Sequence, residues 1–289
     1  QLRKKKQKGL IRTRESSLAE VLFPGVKPEL YKEDEEVFVI TELVQSKKTH
    51  LPFEFYDVLP NCEIPVLANF KRMRKRHQRK NLGSRLQGLD LKPAPYSLRV
   101  MKNMRCTVLC QTELQAHQIR WLRKLVERQY RVHLTFDQLP VLMRSEELNY
   151  AVRGFLVGSA APESYTGKQD DEYYLYNHMK FTIFVKEEED GYHITGFDVH
   201  PVSLQHKDDG STCEDIQDEE EVTNDPNTYL SLRGAASAMA MPVVYSYDVE
   251  WVKSDLSWAD RWDVYLIGSP DDDIHFFAIV NSLMIVLFL

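Results

Sequence analysis

Cysteines are the residues of this 289-residue chain with the most distinctive chemistry, because an oxidising compartment would join them in disulfides. The four cysteines, Cys62, Cys106, Cys110 and Cys213, allow three complete pairings. If Cys106 and Cys110 lay on one regular strand, their Cα atoms would be ~13 Å apart, too far for a bond. In a turn or helix they could meet, so a local bridge is possible but is not favoured over one to Cys62. Free buried thiols are the alternative.

The nine histidines do not have the spacing of a metal site. His178, His193 and His200 fall in predicted strands, where folding could bring them around zinc, but we favour independent strand histidines. The sequence also has none of the motifs of metalloproteases, serine hydrolases, CxxC redox pairs or phosphate-binding loops. It therefore predicts no catalytic residue, no cofactor and no metal ligand, and it indicates that the protein is not an enzyme.

Two basic stretches stand out from the rest of the chain. Residues 1–22 form a basic leader, which we expect to be disordered, and a second run, KRMRKRHQRK, occupies residues 71–80. Such a run is found in nuclear-import signals and in nucleic-acid-binding patches, but short basic motifs often occur without either function. We favour a solvated loop or helix face and expect no nucleic-acid partner.

Residues 205–241 are predicted to form a flexible acidic insertion. They begin with a strongly acidic stretch and continue with the small residues RGAASAMAM. Low hydrophobicity with high charge does not repay the entropy cost of ordering a segment. Calcium binding is the alternative, but an EF-hand needs Asp, Asp or Asn, and Glu at fixed offsets around a Gly. The acidic run lacks that order.

The stretch 274–289, IHFFAIVNSLMIVLFL, is interrupted only by one histidine, one asparagine and one serine. A membrane-spanning helix needs ~20 predominantly apolar residues, so we expect the truncated start of a transmembrane helix. A buried C-terminal element is the alternative, but a surface helix would show a periodic apolar stripe. The nearest preceding basic residue is Arg261. Because cytoplasmic flanks collect Lys and Arg close to a span, the preceding domain is predicted to be lumenal or extracellular.

Residues 23–273 are predicted to form the ectodomain, and a hydrophobic share of 43% is ample for its core. Strands are predicted at residues 37–43, 173–176, 179–185, 193–204 and 243–252, the last with Trp251 buried near its end. Residues 51–65 contain three prolines and are expected to be extended chain at sheet edges.

One amphipathic helix is predicted at residues 112–130, with Thr112 and Gln115 forming a capping box and Trp121 on the face that also carries Leu122, Leu125 and Val126. The expected fold is mainly β with α (α+β), in which antiparallel sheets pack as a sandwich beside this principal helix. From Trp251 a linker leads through Arg261, Asp263 and Tyr265 to the apolar stretch.

A collinear series of short motifs covers most of the chain. The series includes Phe23-Pro24-Gly25, Leu51-Pro52, Asn81-Leu82-Gly83, Pro95-Tyr96, Cys106-x-x-Leu109-Cys110, Asp137-x-Leu139-Pro140, Gly154-Phe155-x-Val157-Gly158, Tyr245-Ser246, Arg261-x-Asp263-x-Tyr265 and Asn281-Ser282. In this order the motifs resemble the lumenal region of the transmembrane 9 superfamily, the nonaspanins. Each motif is weak alone, whereas the series is specific.

The resemblance implies a large lumenal domain followed by nine membrane spans, located in Golgi and endosomal membranes. The implied partners are the lipid bilayer, contacted through residues 274–289 and further spans, and membrane-protein cargo. No enzyme activity is implied. The chain departs from the family pattern at Tyr31, where a cysteine is usual, so any disulfide made by that cysteine is lost. It also departs at Phe276, where Trp is usual.

The expected function is therefore that of a lumenal domain in a multispanning protein that acts in membrane-protein sorting rather than in catalysis. The second interpretation is the ectodomain of a membrane transporter or channel, which would need ionisable residues within its spans. The third is a soluble nucleic-acid-binding protein that uses residues 71–80, and it would require salt-dependent binding to DNA or RNA.

Overall fold

The computed structural model describes residues 28–49, 51–59, 92–145, 150–161, 172–206, 229–232, 240–265 and 272–288. The predictions for the leader at 1–22, for Cys62 and Cys213, for the basic run at 71–80 and for most of the acidic insertion lie outside the described residues.

The described residues form fourteen strands and three helices. The strands are β1 Glu36–Gln45, β2 Phe53–Glu54, β3 Lys92–Arg99, β4 Met104–Leu114, β5 Arg131–Phe136, β6 Leu139–Pro140, β7 Leu142–Ser145, β8 Tyr150–Arg153, β9 Phe155–Leu156, β10 Gly158–Ala161, β11 Glu172–Leu175, β12 His178–Glu188, β13 Gly191–Val202 and β14 Met241–Lys253. The helices are α1 Phe55–Val58, α2 Ala116–Glu127 and α3 Asp272–Phe288, and a 3-10 turn covers Asp263–Tyr265.

The strands build two six-stranded sheets and one small two-stranded sheet. Sheet I has the order β2-β1-β5-β6, with β3 also paired to β1 and β9 to β5, and sheet II has the order β4-β14-β12-β13-β7-β8. The mainly β α+β fold is confirmed. Sheet II is mixed rather than purely antiparallel, because β14 returns beside β12 and runs parallel to it, and β7 runs parallel to β13.

Aromatic side chains fill the space between the two large sheets. Phe136 on β5 contacts Phe197 on β13, with ring centroids 5.2 Å apart, and Tyr96 on β3 contacts Phe181 on β12 at 4.9 Å. All four residues belong to one buried cluster. The sheets therefore face each other as in a β-sandwich, with aromatic pairs linking the layers.

Helix α2 is shorter than the predicted helix at 112–130 and begins after Gln115. Thr112 does not cap it, because that residue belongs to β4 and pairs with Val243 of β14. The capping box is formed instead by Gln115 and Gln118. Strand pairing thus extends β4 to Leu114 and overrides the cap pattern that the sequence suggested.

The apolar face of α2 is buried against the core through Ile119, Leu122, Leu125 and Val126. These residues follow the three- and four-residue spacing of a helix face. Trp121, which the sequence placed on the same face, is 37% exposed. The prediction of a principal amphipathic helix is correct, but its face is rotated away from Trp121.

Two predicted irregular segments contain ordered structure. Within residues 51–65, the chain forms the short strand β2 and then helix α1, so the expectation of extended chain alone is wrong at 55–58. Within the predicted flexible insertion, Leu230 and Leu232 are buried and Ser231 makes a β-bridge to Tyr174. The expectation of flexibility therefore fails at these residues, because two leucines there enter the core.

Strand β14 matches the alternation that the sequence showed. Val243, Tyr247, Val249 and Trp251 are buried, and a register shift between Tyr245 and Ser246 interrupts the alternation. Because β14 lies between β4 and β12, it is an inner strand of sheet II. Trp251 is therefore buried in the core, as predicted, and is not an edge aromatic.

Helix α3 contains most of the apolar stretch at 274–289. Every side chain from Ile279 to Phe288 is exposed. In the part of the chain that the structure describes, no helix is both long enough and apolar enough to cross a membrane. The start of a transmembrane helix at this position stays a prediction.

Candidate functional site

The segment between β14 and residue 266, here called the connector (residues 254–265), is attached to the sandwich by a buried arginine. Arg261 donates from Nη1 to Asp137 Oδ2 at 2.6 Å and to the carbonyl oxygen of Ile194 at 3.1 Å. The two charged side chains are only 3% and 4% exposed. The Arg261 guanidinium also lies over the Trp258 ring, 4.5 Å from its centroid. A buried, charge-assisted hydrogen bond therefore joins the connector to the core.

Asp137 reaches this position because of an unusual turn between β5 and β6. Asp137 and Gln138 form a two-residue hairpin between the paired residues Phe136 and Leu139, and both have positive φ, 46° and 65°. Positive φ at both central positions is the signature of a type I′ hairpin, and residues other than Gly, Asn and Asp, such as Gln138, rarely adopt it. The turn therefore holds the backbone in a strained conformation, and this conformation places the Asp137 carboxylate beside Arg261.

Tyr31 completes the group from the N-terminal side. Its hydroxyl donates to Asp137 Oδ1 at 2.8 Å and to Glu29 Oε2 at 3.1 Å. Its backbone pairs with Tyr192 through hydrogen bonds of 3.0 and 2.8 Å. The segment before β1 is therefore fixed to β13 close to the connector. Tyr31 is also the position at which the family resemblance implied a cysteine.

The surroundings of Tyr31 keep its hydroxyl protonated, so that it donates a hydrogen bond to Asp137. Burial, followed by the charges of Asp137 and Glu29, raises the pKa of Tyr31 far above its usual range. Burial also raises the pKa of Asp137, while the charge of Arg261 and the hydrogen bonds from Arg261 and Tyr31 oppose that rise. One arginine, one tyrosine and one aspartate thus form a buried network whose hydrogen bonds depend on one another.

Tyr265 makes the last described contact of the connector. Its hydroxyl donates to the carbonyl oxygen of Pro140 at 2.6 Å, and the Arg153 guanidinium lies 5.8 Å from its ring centroid. Asp137 and Pro140 belong to one of the motifs quoted above, and Arg261 and Tyr265 belong to another. The fold brings these two motifs, separated by more than a hundred residues, into one site.

A second polar cluster joins β12, β14 and the residues after β13. His178 Nδ1 lies 2.8 Å from Ser246 Oγ, and His178 Nε2 lies 3.3 Å from Asp248 Oδ2. Ser246 Oγ is also 3.1 Å from His206 Nε2, and Asp248 Oδ1 accepts from the Cys106 backbone N–H at 2.6 Å. The parallel register, which pairs His178 with Ser246, creates this arrangement.

Serine, histidine and aspartate in this order are the components of a hydrolytic triad, but the geometry does not support hydrolysis. Ser246 is only 2% exposed and its hydroxyl is shared between two imidazole rings. A nucleophilic serine must reach a substrate carbonyl, which a buried hydroxyl between two strands does not. The cluster instead ties β12 to β14 and holds the bulged backbone of β4 at Cys106, where φ is 42°.

The pKa values in the second cluster agree with this structural interpretation. Burial raises the pKa of Asp248, but the hydrogen bond and charge of His178, the Cys106 N–H and the charge of Lys180 together lower the pKa overall. Burial and the charge of His178 lower the pKa of His206. Asp248 is thus held as a carboxylate that accepts hydrogen bonds from His178 and from the β4 backbone.

The structure also places the cysteines and the other histidines that the sequence singled out. Cys106 and Cys110 are both disulfide-bonded. His193 Nδ1 contacts the backbone oxygen of Glu29 at 2.7 Å, and His200 is exposed on β13. Among the described residues, no three or more His, Cys, Asp and Glu side chains are grouped so as to hold a metal ion.

Comparison with known proteins places the chain in a family. Residues 52–289 match the family described as endomembrane protein 70. The chain belongs to the endomembrane protein 70 family. The match covers the sandwich from β2 onward, the Asp137 turn, the connector and helix α3. It confirms the resemblance to the transmembrane 9 superfamily, whose members are among the chain's relatives.

Relatives come from plants and mammals. Transmembrane 9 superfamily member 9 of Arabidopsis thaliana is 32% identical over 281 residues, which covers 92% of this chain and 41% of the relative. Transmembrane 9 superfamily member 4 of Mus musculus is 28% identical over 299 residues, with 92% and 42% coverage. The chain therefore spans about two fifths of the length of the relatives that it matches. Their names are those of membrane proteins and not of enzymes.

Sequence reasoning missed the two interactions that organise these sites. Asp137 and Arg261 were named from the sequence but were not paired with each other, because residues 124 positions apart give no local sign that they form an ion pair. The composition of the connector could have identified Arg261, because it is the only basic residue in a segment that contains three aspartates. The His178–Ser246 contact depends on strand register, which alternation alone does not fix.

Proposed function

We propose that this chain is the lumenal domain of a multispanning protein of Golgi and endosomal membranes, which takes part in sorting membrane proteins to their destinations. Family membership over residues 52–289 carries the proposal. In this role the sandwich contacts lipid and membrane-protein cargo, and it performs no reaction.

The connector supports the proposal physically. The Asp137–Arg261 pair holds the last described part of the connector against the sandwich. Only residues 266–271 separate Tyr265 from the first residue of α3. The ectodomain and an embedded α3 would thus be joined by a short segment rather than by a long linker.

The placement in a membrane is tested by expressing the full-length gene with a C-terminal tag and extracting the membranes with alkaline carbonate. We expect the protein to stay in the membrane pellet, to colocalise with Golgi and endosomal markers, and to be protected from added protease over residues 28–265 until detergent opens the vesicles. Release into the supernatant, or digestion of the sandwich in closed vesicles, would overturn the proposal.

The sorting role is tested separately by depleting the protein and labelling surface proteins. We expect a subset of membrane proteins to be lost from the cell surface and restored by the wild-type gene. An unchanged surface proteome after complete depletion would contradict the sorting role and leave the membrane placement standing.

A further inference from the structure

Trp262 projects from a part of the connector that is otherwise held in place. Its side chain is 43% exposed, whereas its neighbour Arg261 is buried and Tyr265 is buried three residues later. The Asp263 N–H donates to Asp260 O at 2.9 Å, and the Tyr265 hydroxyl donates to Pro140 O. The exposure of Trp262 is therefore imposed by fixed residues on both sides of it.

Covalent reach limits how far Trp262 can lie from the start of α3. Six residues separate Tyr265 from Asp272, and an extended chain advances at most ~3.6 Å per residue, so the two Cα atoms lie within ~25 Å of each other. The polar headgroup layer on each side of a bilayer is ~6 Å thick. If α3 enters the bilayer at its first turn, this reach allows the connector to contact the headgroups.

An indole ring suits that location. Trp and Tyr are enriched at membrane–water interfaces because their rings are apolar and carry a polar edge. In the connector, Trp262 packs against Tyr265, with ring centroids 5.3 Å apart, so two aromatic rings are available on one segment. Tyr265 itself is buried, and Trp262 is the ring that faces outward.

The charges around Trp262 select the kind of lipid surface. Asp255, Asp260 and Asp263 are exposed, and Arg261 is the only basic residue among residues 254–265 and is buried. Outside the connector, the exposed Arg153 lies 5.8 Å from the Tyr265 ring, so the exposed carboxylates of the connector outnumber this cation. Exposed carboxylates would be repelled by anionic headgroups, an effect that acts over ~8–10 Å in physiological salt. A zwitterionic headgroup such as phosphatidylcholine meets no such repulsion.

We propose that Trp262 rests in the headgroup layer of a zwitterionic membrane and fixes the tilt of the sandwich relative to the bilayer. The inference rests on the proposed function, since it takes α3 to be embedded. It adds a specific lipid-contacting residue outside α3 and a preference for uncharged lipid surfaces.

The test uses the full chain reconstituted into phosphatidylcholine vesicles whose acyl chains carry bromine near the headgroup, which quenches nearby tryptophans. Intrinsic fluorescence is compared for wild type, Trp262→Phe and Trp121→Phe. Trp121 is the matched control because it is exposed to a similar degree, at 37%, but lies on α2, where its indole N–H donates to Val58 O. We expect Trp262→Phe to lose most of the bromine-dependent quenching and Trp121→Phe to retain it.

A second arm tests the lipid preference. Replacing a third of the lipid by phosphatidylserine should reduce the quenching of wild type, and Asp260→Asn with Asp263→Asn should restore it. If Trp262→Phe does not fold, Trp262→Tyr, which keeps the aromatic contact with Tyr265, replaces it.

The two proposals fail in different ways. A chain that carbonate washes off the vesicles would overturn the proposed function. A chain that stays embedded while Trp262→Phe keeps its full quenching, or while Trp121→Phe loses it, would overturn the Trp262 contact alone. Quenching that is unchanged by phosphatidylserine would overturn the zwitterionic preference.

Discussion

At the scale of single residues, the Asp137–Arg261 pair is the interaction on which the site depends most. Each partner is almost fully buried, so its charge is compensated mainly by the other and by Tyr31. Breaking a buried pair by removing one partner is strongly destabilising, because the remaining charge has lost its compensation. An exposed pair contributes little by comparison, since water and salt screen it.

The first prediction is that Arg261→Met lowers the free energy of unfolding by about 3–5 kcal/mol, because the Asp137 carboxylate stays buried without its partner. Chemical denaturation of the solubilised chain measures the change. Adding Asp137→Asn should recover part of the loss, since asparagine carries no charge and tolerates positive φ.

The control for Arg261→Met is Lys253→Met, which breaks the ion pair with Glu187 on the surface, where both side chains are more than half exposed. We expect Lys253→Met to leave the denaturation midpoint nearly unchanged. Equal losses for Arg261→Met and Lys253→Met would mean that burial adds nothing to the Asp137–Arg261 pair.

His133 on β5 provides a second prediction, which concerns pH. Burial, with the charges of Arg131 and Arg153, lowers the pKa of His133 from 6.5 to about 4 in the folded chain. The unfolded chain therefore binds the proton more readily between these values, so stability is lost as the pH falls through this window. Between pH 7.5 and 5, the loss from this residue is about 1–2 kcal/mol, the lower value allowing for its partial exposure.

Chemical denaturation at pH 7.5 and pH 5 measures the effect of His133. His133→Gln, which keeps a polar group beside Gln45, should remove that part of the pH dependence. The matched variant His117→Gln replaces an exposed histidine on α2 and should leave the pH dependence as it is in wild type. A pH dependence that survives His133→Gln in full would rule out this residue as its source.

At the scale of secondary-structure elements, β14 links the core to the connector. It pairs with β4 on one side and β12 on the other, and Trp251 lies near its C-terminal end, just before the connector. The Trp251 ring faces Phe136 across the sandwich, with ring centroids 6.3 Å apart, and its backbone N–H donates to Asn103 Oδ1 at 2.9 Å. Its indole Nε1 is buried and makes no hydrogen bond in the described structure.

The third prediction is that Trp251→Ala destabilises the chain by about 3–5 kcal/mol, because it opens a cavity between the sheets. In a domain of this size, such a loss lowers the midpoint of thermal unfolding by several degrees. Trp251→Phe should cost less, since it keeps an aromatic ring against Phe136 and removes an unpaired indole N–H. A shift of only a degree for Trp251→Ala would show that the ring does not anchor the strand.

The elements also show why some predictions succeeded and others failed. Alternation located β14 and Trp251 correctly, because an inner strand with one face toward the facing sheet leaves a period-2 pattern. The capping-box pattern placed the start of α2 four residues too early, since Thr112 fits both a helix cap and a position near a strand end. In the structure Thr112 belongs to β4 because it pairs with Val243, and that contact is not local in sequence.

At the scale of the whole molecule, sequence motifs identified the family and composition identified the apolar C-terminal stretch, while the contacts of the linker before that stretch were not predicted. The sequence suggested a linker between Trp251 and residue 274. In the structure the connector is fixed through Arg261 and Tyr265 to residues of the β5–β6 region. A contact of this kind depends on the complete fold, so no local pattern predicts it.

Hydrogen–deuterium exchange of the full chain in nanodiscs measures whether the connector is fixed to the sandwich. The N–H groups of Asp263 and Tyr265 donate to Asp260 O and Trp262 O, so peptides covering residues 254–265 should exchange slowly, as folded structure does. Arg261→Met should speed exchange in the connector at least tenfold and leave peptides of β12 to β14 unchanged. Connector peptides that exchange completely at the earliest time in the wild-type chain would contradict the account.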